Sequence, residues 1–391
     1  MRPLKIALFS DSALPVLNGV SVSIDALVRS FRERGHSVFL YTSRFPRHHD
    51  SDPNVTRFPA IYTPWTKDYP LAIPPFYPWF HEFQRREFDI VHTHTPFTVG
   101  FVGMRWAQSC EIPLVTTYHT LYDKYIHYVP FFPKRYLRYK MAKHTNFYYN
   151  SADHVVTPSE SAKRWLTRHS VKKPITVIPT GIPEPKNLDR QEVRRALGVS
   201  PLRKVLLYSG RVALEKNIAT LLEAAQLVFK TDNDAELWIV GDGPATNDLR
   251  SMARDLGLGD KVKFWGFVPR KDIDPFYAAA DVFMFASTTE TQGLVILEAM
   301  SYGLPVIVVQ GGGASASVQS GKNGFIVPND PTEIAEHALR VLKDPLLYET
   351  VSANAVRITQ EISVSATADR VLGVYAEVLR QEESLEMGYV V

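Results

Sequence analysis

Arg211 and Lys216 stand with four residues between them, directly after the apolar run Val205–Tyr208. An arginine can fork two phosphate oxygens and a lysine adds a point charge, so at a strand end this pair suits a diphosphate. A solvated surface pair is the plainer alternative. Glu290 and Glu298, with seven residues between them, straddle Gly293 after a second apolar run, Val282–Phe285. Gly293 opens a helical pattern whose first amides can hold an anion. Glu290, ahead of that helix, can point at a neutral polyol, and Glu298, within it, can reach a ribose. A capping acid and a surface acid are the competing readings of these two residues. Near the N-terminus, Asn18 and Gly19 precede another helical pattern; they form either a further anion site or an ordinary strand-to-helix turn.

Two series of alternating strands and helices must position these residues. In the first, strands are expected at Lys5–Ser10, Ser37–Thr42, Phe88–His92, Pro113–Tyr118, His154–Thr157 and Ile175–Ile178. Helices at Val20–Arg34, Phe97–Ser109 and Glu160–His169 fall between them. After the proline-rich joint Pro179–Pro185 the pattern resumes, with strands at Val205–Tyr208, Leu237–Val240, Val262–Trp265, Val282–Phe285 and Val306–Val309. Helices are expected at Ile218–Lys230, Asp248–Leu256, Asp274–Ala280, Val295–Tyr302, Pro331–Leu342 and Leu346–Ile362. A last helix, Ser365–Leu379, is expected to cross back to the first domain. The fold class is α/β, with two doubly wound Rossmann-like domains, 1–182 and 183–364, facing across a cleft, and a closing segment 365–391. Phe58–Phe80, with six prolines and eight aromatics, is too aromatic for a linker. It must fold over something or expose a sticky surface.

Composition narrows the possibilities. Forty-four Lys and Arg against 41 Asp and Glu give +3, too balanced to argue for nucleic acid. A single cysteine, Cys110, excludes an internal disulfide framework and any multi-cysteine metal site. No apolar stretch has the length of a signal-peptide core or a spanning helix. A protein in solution in a reducing compartment, or resting on a membrane rather than in one, is expected.

The set Arg211, Lys216, Glu290 and Glu298 resembles the signature of the retaining family-four glycosyltransferases, whose fold is GT-B. The resemblance spans essentially the whole chain. It is supported in order by the segments beginning at Pro15, Arg34, Asp89, Pro158, Val240 and Gly266: PVLNGV, RGHSV, DIVHTH, PSES, VGDGP and GFVP. The resemblance implies that Arg211 and Lys216 bind a donor diphosphate, that Glu298 holds the nucleotide ribose, and that Glu290 contacts the donor sugar with help from the amides of Gly293, Leu294 and Val295. It implies that Gly266, Phe267 and Val268 lie beside the base, that Gly19 lies against the donor phosphate and the acceptor, and that His119 meets the donor sugar near its reacting carbon. No resident cofactor and no metal are implied. His92 and His94 alternate along a strand and could in principle share a metal.

Many relatives have an aromatic residue where this chain has Gln292. That version, with the segment His119–Tyr128 (HTLYDKYIHY), is similar to the bacterial branch that glycosylates diacylglycerol. UDP-glucose is then the favoured donor, and diacylglycerol or a glycosyl-diacylglycerol the acceptor. Tyr122, Lys124, Tyr125 and Tyr128 are the candidate acceptor contacts. The segment 133–144 carries Lys134, Arg135, Arg138, Lys140 and Lys143 among aromatics and no acid. Such a mixture suits an anionic membrane surface on the cytoplasmic side, each cation contributing about 1 kcal/mol; a solvated basic helix is the alternative. A soluble acceptor such as a sugar phosphate, inositol phosphate or malate would use a compact polar pocket, to which His127 and Lys124 could contribute. GDP-mannose is an alternative donor. A non-catalytic two-lobed sugar-binding protein would not need the Arg–Lys–Glu–Glu set.

Overall fold

A computed structural model describes residues 2–16, 18–62, 70–73, 77–119, 133–290, 292–311 and 313–388. The chain forms two compact units, 1–181 together with 364–391, and 182–363.

The first unit is built on seven parallel strands: β1 (Lys5–Ser10), β2 (Ser37–Ser43), β3 (Val55–Phe58), β6 (Ile90–Thr93), β7 (Leu114–Thr117), β8 (His154–Thr157) and β9 (Ile175–Val177). Their order is β3-β2-β1-β6-β7-β8-β9. A two-residue antiparallel ladder, β4 (Ala60–Ile61) with β5 (Leu71–Ala72), forms a small sheet of its own. The helices are α1 (Gly19–Glu33), α2 (Tyr77–Arg85), α3 (Thr98–Ser109), α4 (Lys134–Asn150), α5 (Glu160–Arg168) and α13 (Val364–Gly388).

Both sheet faces are covered, as parallel sheets require. On one face Phe9, Tyr41, Phe58, Phe83 and Trp106 form an aromatic cluster. The proline-rich segment therefore contributes Phe58 to the interior, with Trp79 and Phe80 packed against the same cluster. On the other face α1 presents Ile24, Leu27, Val28 and Phe31 at helical spacing. Ala368, Val371, Leu372, Tyr375 and Val378 of α13 complete that layer, with Ile6 and Leu8 from β1.

The second unit repeats the plan with six parallel strands: β10 (Lys204–Ser209), β11 (Ala235–Val240), β12 (Val262–Gly266), β13 (Val282–Phe285), β14 (Val306–Val309) and β15 (Gly324–Val327). Their order is β12-β11-β10-β13-β14-β15. Around them lie α6 (Arg190–Ala196), α7 (Ile218–Thr231), α8 (Thr246–Asp255), α9 (Asp274–Ala279), α10 (Leu294–Ser301), α11 (Pro331–Lys343) and α12 (Pro345–Gln360). In each unit the strand order reverses once, between β1 and β6 and between β10 and β13. At such a switch point the loops leave neighbouring strands in opposite directions and open a crevice at the strand C-termini.

Candidate active site

In the second unit the switch point gathers the charged residues singled out above. The loop after β10 carries Arg211 and Lys216; the loop after β13 carries Glu290. Lys216 Nζ donates to Glu290 Oε1, which Ser287 Oγ also approaches at 3.3 Å. Arg211 is half-exposed, its Nη1 3.8 Å from the Glu215 carboxylate. A cation that reaches solvent beside a shielded ion pair is an arrangement able to take an anion from solution.

Gly293 caps α10 in the left-handed region, φ 72°, and a Cβ there would sit 2.9 Å from Ile296 Cδ1. Leu294 and Val295 are half-buried against the core, so their side chains hold the helix while the first amides stay at the crevice end. The loop after β11 is crowded backbone to backbone. A Cβ on Gly241, whose φ is 138°, would fall 1.9 Å from the Gly210 carbonyl oxygen. Only glycine permits that approach.

The Glu298 side chain keeps 12% of its surface exposed, which argues against the surface-acid reading. Arg270 forks it, Nη2 donating to Oε1 at 2.7 Å and Nη1 to Oε2 at 2.9 Å. The Tyr277 hydroxyl donates to Oε2 at 2.9 Å. Burial raises the carboxyl, with the Arg270 charge opposing. Gly266, φ 71°, ends β12; Phe267 beyond it is largely exposed and Val268 packs on the core. An exposed aromatic ring at a strand C-terminus is a natural stacking surface for a planar ligand.

In the first unit, β1 and β6 are joined across their switch point by Asp11. Its carboxylate accepts from Thr95 Oγ1 at 2.6 Å, Thr98 Oγ1 at 2.7 Å and the Val99 amide at 2.9 Å, and so caps α3. Burial raises its pKa while those bonds oppose. Asn18 caps α1, accepting from the amides of Val20 at 2.9 Å and Ser21 at 3.0 Å. Those amides are therefore engaged by the chain itself, and an anion at this turn would meet chiefly Gly19.

His119 lies two residues past β7 and is buried with His92 and His94. His94 Nδ1 is 2.9 Å from His119 Nε2. The His92 and His94 rings stack with centroids 4.1 Å apart. His92 is tied at both nitrogens, Nδ1 to the Tyr375 hydroxyl at 2.6 Å and Nε2 to Thr117 Oγ1 at 2.7 Å. Burial lowers all three, His92 to about 3 and His119 to about 4, so the stack is neutral around pH 7. Among the described residues no group of three His, Cys, Asp or Glu is arranged to hold a metal.

Lys134, Arg135, Arg138 and Lys140 all lie on α4. Tyr136 and Tyr139 are exposed, and Lys140 and Lys143 sit over their rings at 5.5 and 6.0 Å. Lys140 and Lys143 are thus cation–π partners of the residue one turn earlier. Tyr122, Lys124, Tyr125 and Tyr128 lie outside the described residues. Among those described, no helix is long and apolar enough to cross a membrane.

Arg270, Tyr277, Asp11 and Tyr375 escape the motif-based reading of the sequence as site residues. Each acts on a partner far away in sequence, and no local pattern announces it.

Two doubly wound parallel units, each with its polar side chains collected at the switch point, define a two-domain α/β protein built to bind ligands beyond its strand ends. Residues 17–184 match the family model Glycosyltransferase Family 4, and residues 189–357 match Glycosyl transferases group 1. The chain belongs to the family-four glycosyltransferases, of GT-B fold. It is 35% identical over 318 residues to the alpha-monoglucosyldiacylglycerol synthase of Streptococcus pneumoniae, covering 78% of this chain and 70% of that one. It is 31% identical over 393 residues to the enzyme of the same name from Acholeplasma laidlawii, covering 96% of both. Among solved structures, Anabaena HepE in complex with UDP-glucose superposes with a TM-score of 0.72 at 21% identity, covering 96% of this chain and 100% of that one.

Proposed function

We propose that this glycosyltransferase moves a hexose, with retention of configuration, from a nucleotide sugar to a membrane lipid. UDP-glucose is the favoured donor, and diacylglycerol or a glycosyl-diacylglycerol the acceptor. The observation that carries the reading is the full-length similarity to a synthase whose name states a glucosylated diacylglycerol product. A neighbour in fold solved with UDP-glucose supports the donor class.

In this reading the bond from the anomeric carbon to the diphosphate breaks as the bond to the acceptor oxygen forms on the same face. The acceptor proton passes to the departing phosphate oxygen. The developing charge on that phosphate is met by Arg211, by Lys216 and by the first amides of α10. Glu298, held by Arg270 and Tyr277, accepts from the ribose hydroxyls, and Phe267 lies by the base with Gly266 and Val268. Glu290 and His119 contact the donor sugar. The cations take the place a metal would have, so no cofactor is required. Lys134, Arg135, Arg138 and Lys140 hold the first unit at the cytoplasmic face of an anionic membrane.

The test is a donor screen by thermal shift, followed by product analysis with diacylglycerol vesicles and with soluble acceptors in parallel. Replacing the four α4 cations by Gln should weaken binding to anionic vesicles and leave donor hydrolysis in solution largely intact. Raised salt should mimic the change. Transfer to a soluble acceptor alone, or vesicle binding indifferent to both charge and salt, would overturn the lipid assignment.

A further inference from the structure

The hydrogen bond between His94 and His119 has a direction that its surroundings decide. Both rings are buried and neutral, so each carries one N–H. Among the described residues the other nitrogen of His94, Nε2, is buried and has no hydrogen-bond partner. A buried N–H left without an acceptor is rare and costly, because a donor stripped of water loses a full hydrogen bond. The unpartnered Nε2 is therefore assigned as the bare lone pair, and the His94 proton resides on Nδ1. That N–H points at His119 Nε2, 2.9 Å away, which must then be the acceptor. The remaining proton of His119 lies on Nδ1.

The rest of the stack keeps His94 in place. His92 is fixed at both of its nitrogens, by Tyr375 and Thr117, and its ring face supports that of His94 at 4.1 Å. The His94 and His119 ring centroids are 5.2 Å apart with planes 24° apart, a geometry compatible with an in-plane imidazole hydrogen bond.

We propose that His94 is a positioning residue that locks His119 in its Nδ1–H tautomer, so that His119 meets the donor sugar as a neutral hydrogen-bond donor and never as a base. The consequence for turnover rests on the sugar-transfer reading above; the tautomer does not. A donor at this place can hold a sugar hydroxyl by its oxygen lone pair while the diphosphate departs, whereas a bare nitrogen would compete with the leaving phosphate for the acceptor proton.

The experiment uses the full chain labelled with ¹⁵N-histidine. Long-range ¹H–¹⁵N imidazole spectra are recorded, and the His119 signals are identified by their loss in His119→Gln. The expected result is a protonated Nδ1 and a bare Nε2 on His119. His94→Leu removes the donor at similar bulk and should release His119 to a mixture of tautomers. Its kcat should fall at least about tenfold, with the donor KM within about threefold, the mark of an interaction that matters in the transition state. His94→Asn returns an N–H near the lost Nδ1 and should restore both the spectrum and most of kcat. A wild-type His119 protonated on Nε2 overturns the proposal, as does His94→Leu with wild-type kcat. If the wild type transfers no sugar, the function above fails while the spectrum still decides the tautomer.

Discussion

The Tyr375 hydroxyl lies 2.6 Å from His92 Nδ1. Two hundred and eighty-three residues separate these partners along the chain, and their bond ties the last helix to the histidine stack of the first sheet.

Tyr375→Phe keeps the ring in the layer with Phe31 and removes only the hydroxyl. One nitrogen of His92 is then buried without a partner, which should cost about 1–3 kcal/mol. At roughly 2–4 °C per kcal/mol for a unit of this size, the shift is well within reach of calorimetry. An unchanged Tm would mean that the bond contributes nothing.

Acid should weaken the fold through the three buried histidines. In the unfolded chain they titrate near ~6.5; in the folded chain burial holds His92 at about 3, His119 at about 4 and His94 well below the ordinary value. Below the unfolded value only the unfolded chain takes up protons, so stability is complete above it and drains away as pH falls. The loss is about 1.4 kcal/mol per pH unit for each histidine. Asp11 and Glu298, raised by burial, act with the opposite sign. Comparing wild type with His92→Gln by guanidinium denaturation between pH 7.5 and 5.5 isolates one histidine's share. The variant should show the shallower decline, and equal slopes would contradict the assignment.

Arg211→Ala and Lys216→Ala should each lower kcat by at least about a hundredfold, the scale of losing one donor to a developing anion. Their effects on stability should differ. Arg211 is half-exposed with one long ionic contact, so its removal should leave Tm unchanged. Loss of Lys216 strips Glu290 of its ion-pair partner, and Tm should fall measurably. Near-normal turnover in a folded double variant would remove the phosphate role.

Arg270→Ala leaves Glu298 without its fork. Breaking this partly buried pair from one side should cost less than the roughly 3–5 kcal/mol of a fully buried one, because water still reaches the Arg270 end. The donor KM should also rise, since the carboxylate would no longer be held. A destabilised variant with wild-type KM would mean that Glu298 serves the fold alone.

Turnover should persist in excess EDTA. Arg211 and Lys216 supply the positive charge, and His92, the first of the two alternating strand histidines, already spends both nitrogens on Thr117 and Tyr375. Activity lost to the chelator and restored by Mg²⁺ or Mn²⁺ would contradict the cation-only scheme.

The sequence shows the doubly wound class plainly, because strands buried on both faces read as short apolar runs such as Val282–Phe285. Elements that depend on tertiary partners are harder to see. β15 is four residues between an Asn-Gly turn and a proline, and becomes a strand only by pairing with β14. α6 has only Val193 and Ala196 as apolar positions and is held chiefly by the buried Arg194, which donates to the Ala279 carbonyl at 2.8 Å. α2 hides at the end of a proline-rich run. At the site, the spacing of Arg211, Lys216, Glu290 and Glu298 is legible, but the partner of Glu298 is not. Arg270 belongs to a short turn whose charge pattern, Arg-Lys-Asp, suits any exposed surface.

The division of the chain bears on the order in which it is made. Residues 182–363 are continuous, so that unit has all its strands once residue 363 has left the ribosome. The first unit begins earlier yet finishes later, because the layer holding Ile6, Leu8, Ile24 and Phe31 stays open until α13 is synthesised. Domains usually complete themselves from the N-terminus onward during synthesis. Here the order is reversed at the final step, and a chain halted before residue 364 carries a finished second unit attached to an unsealed first one, with that apolar layer exposed to whatever it meets.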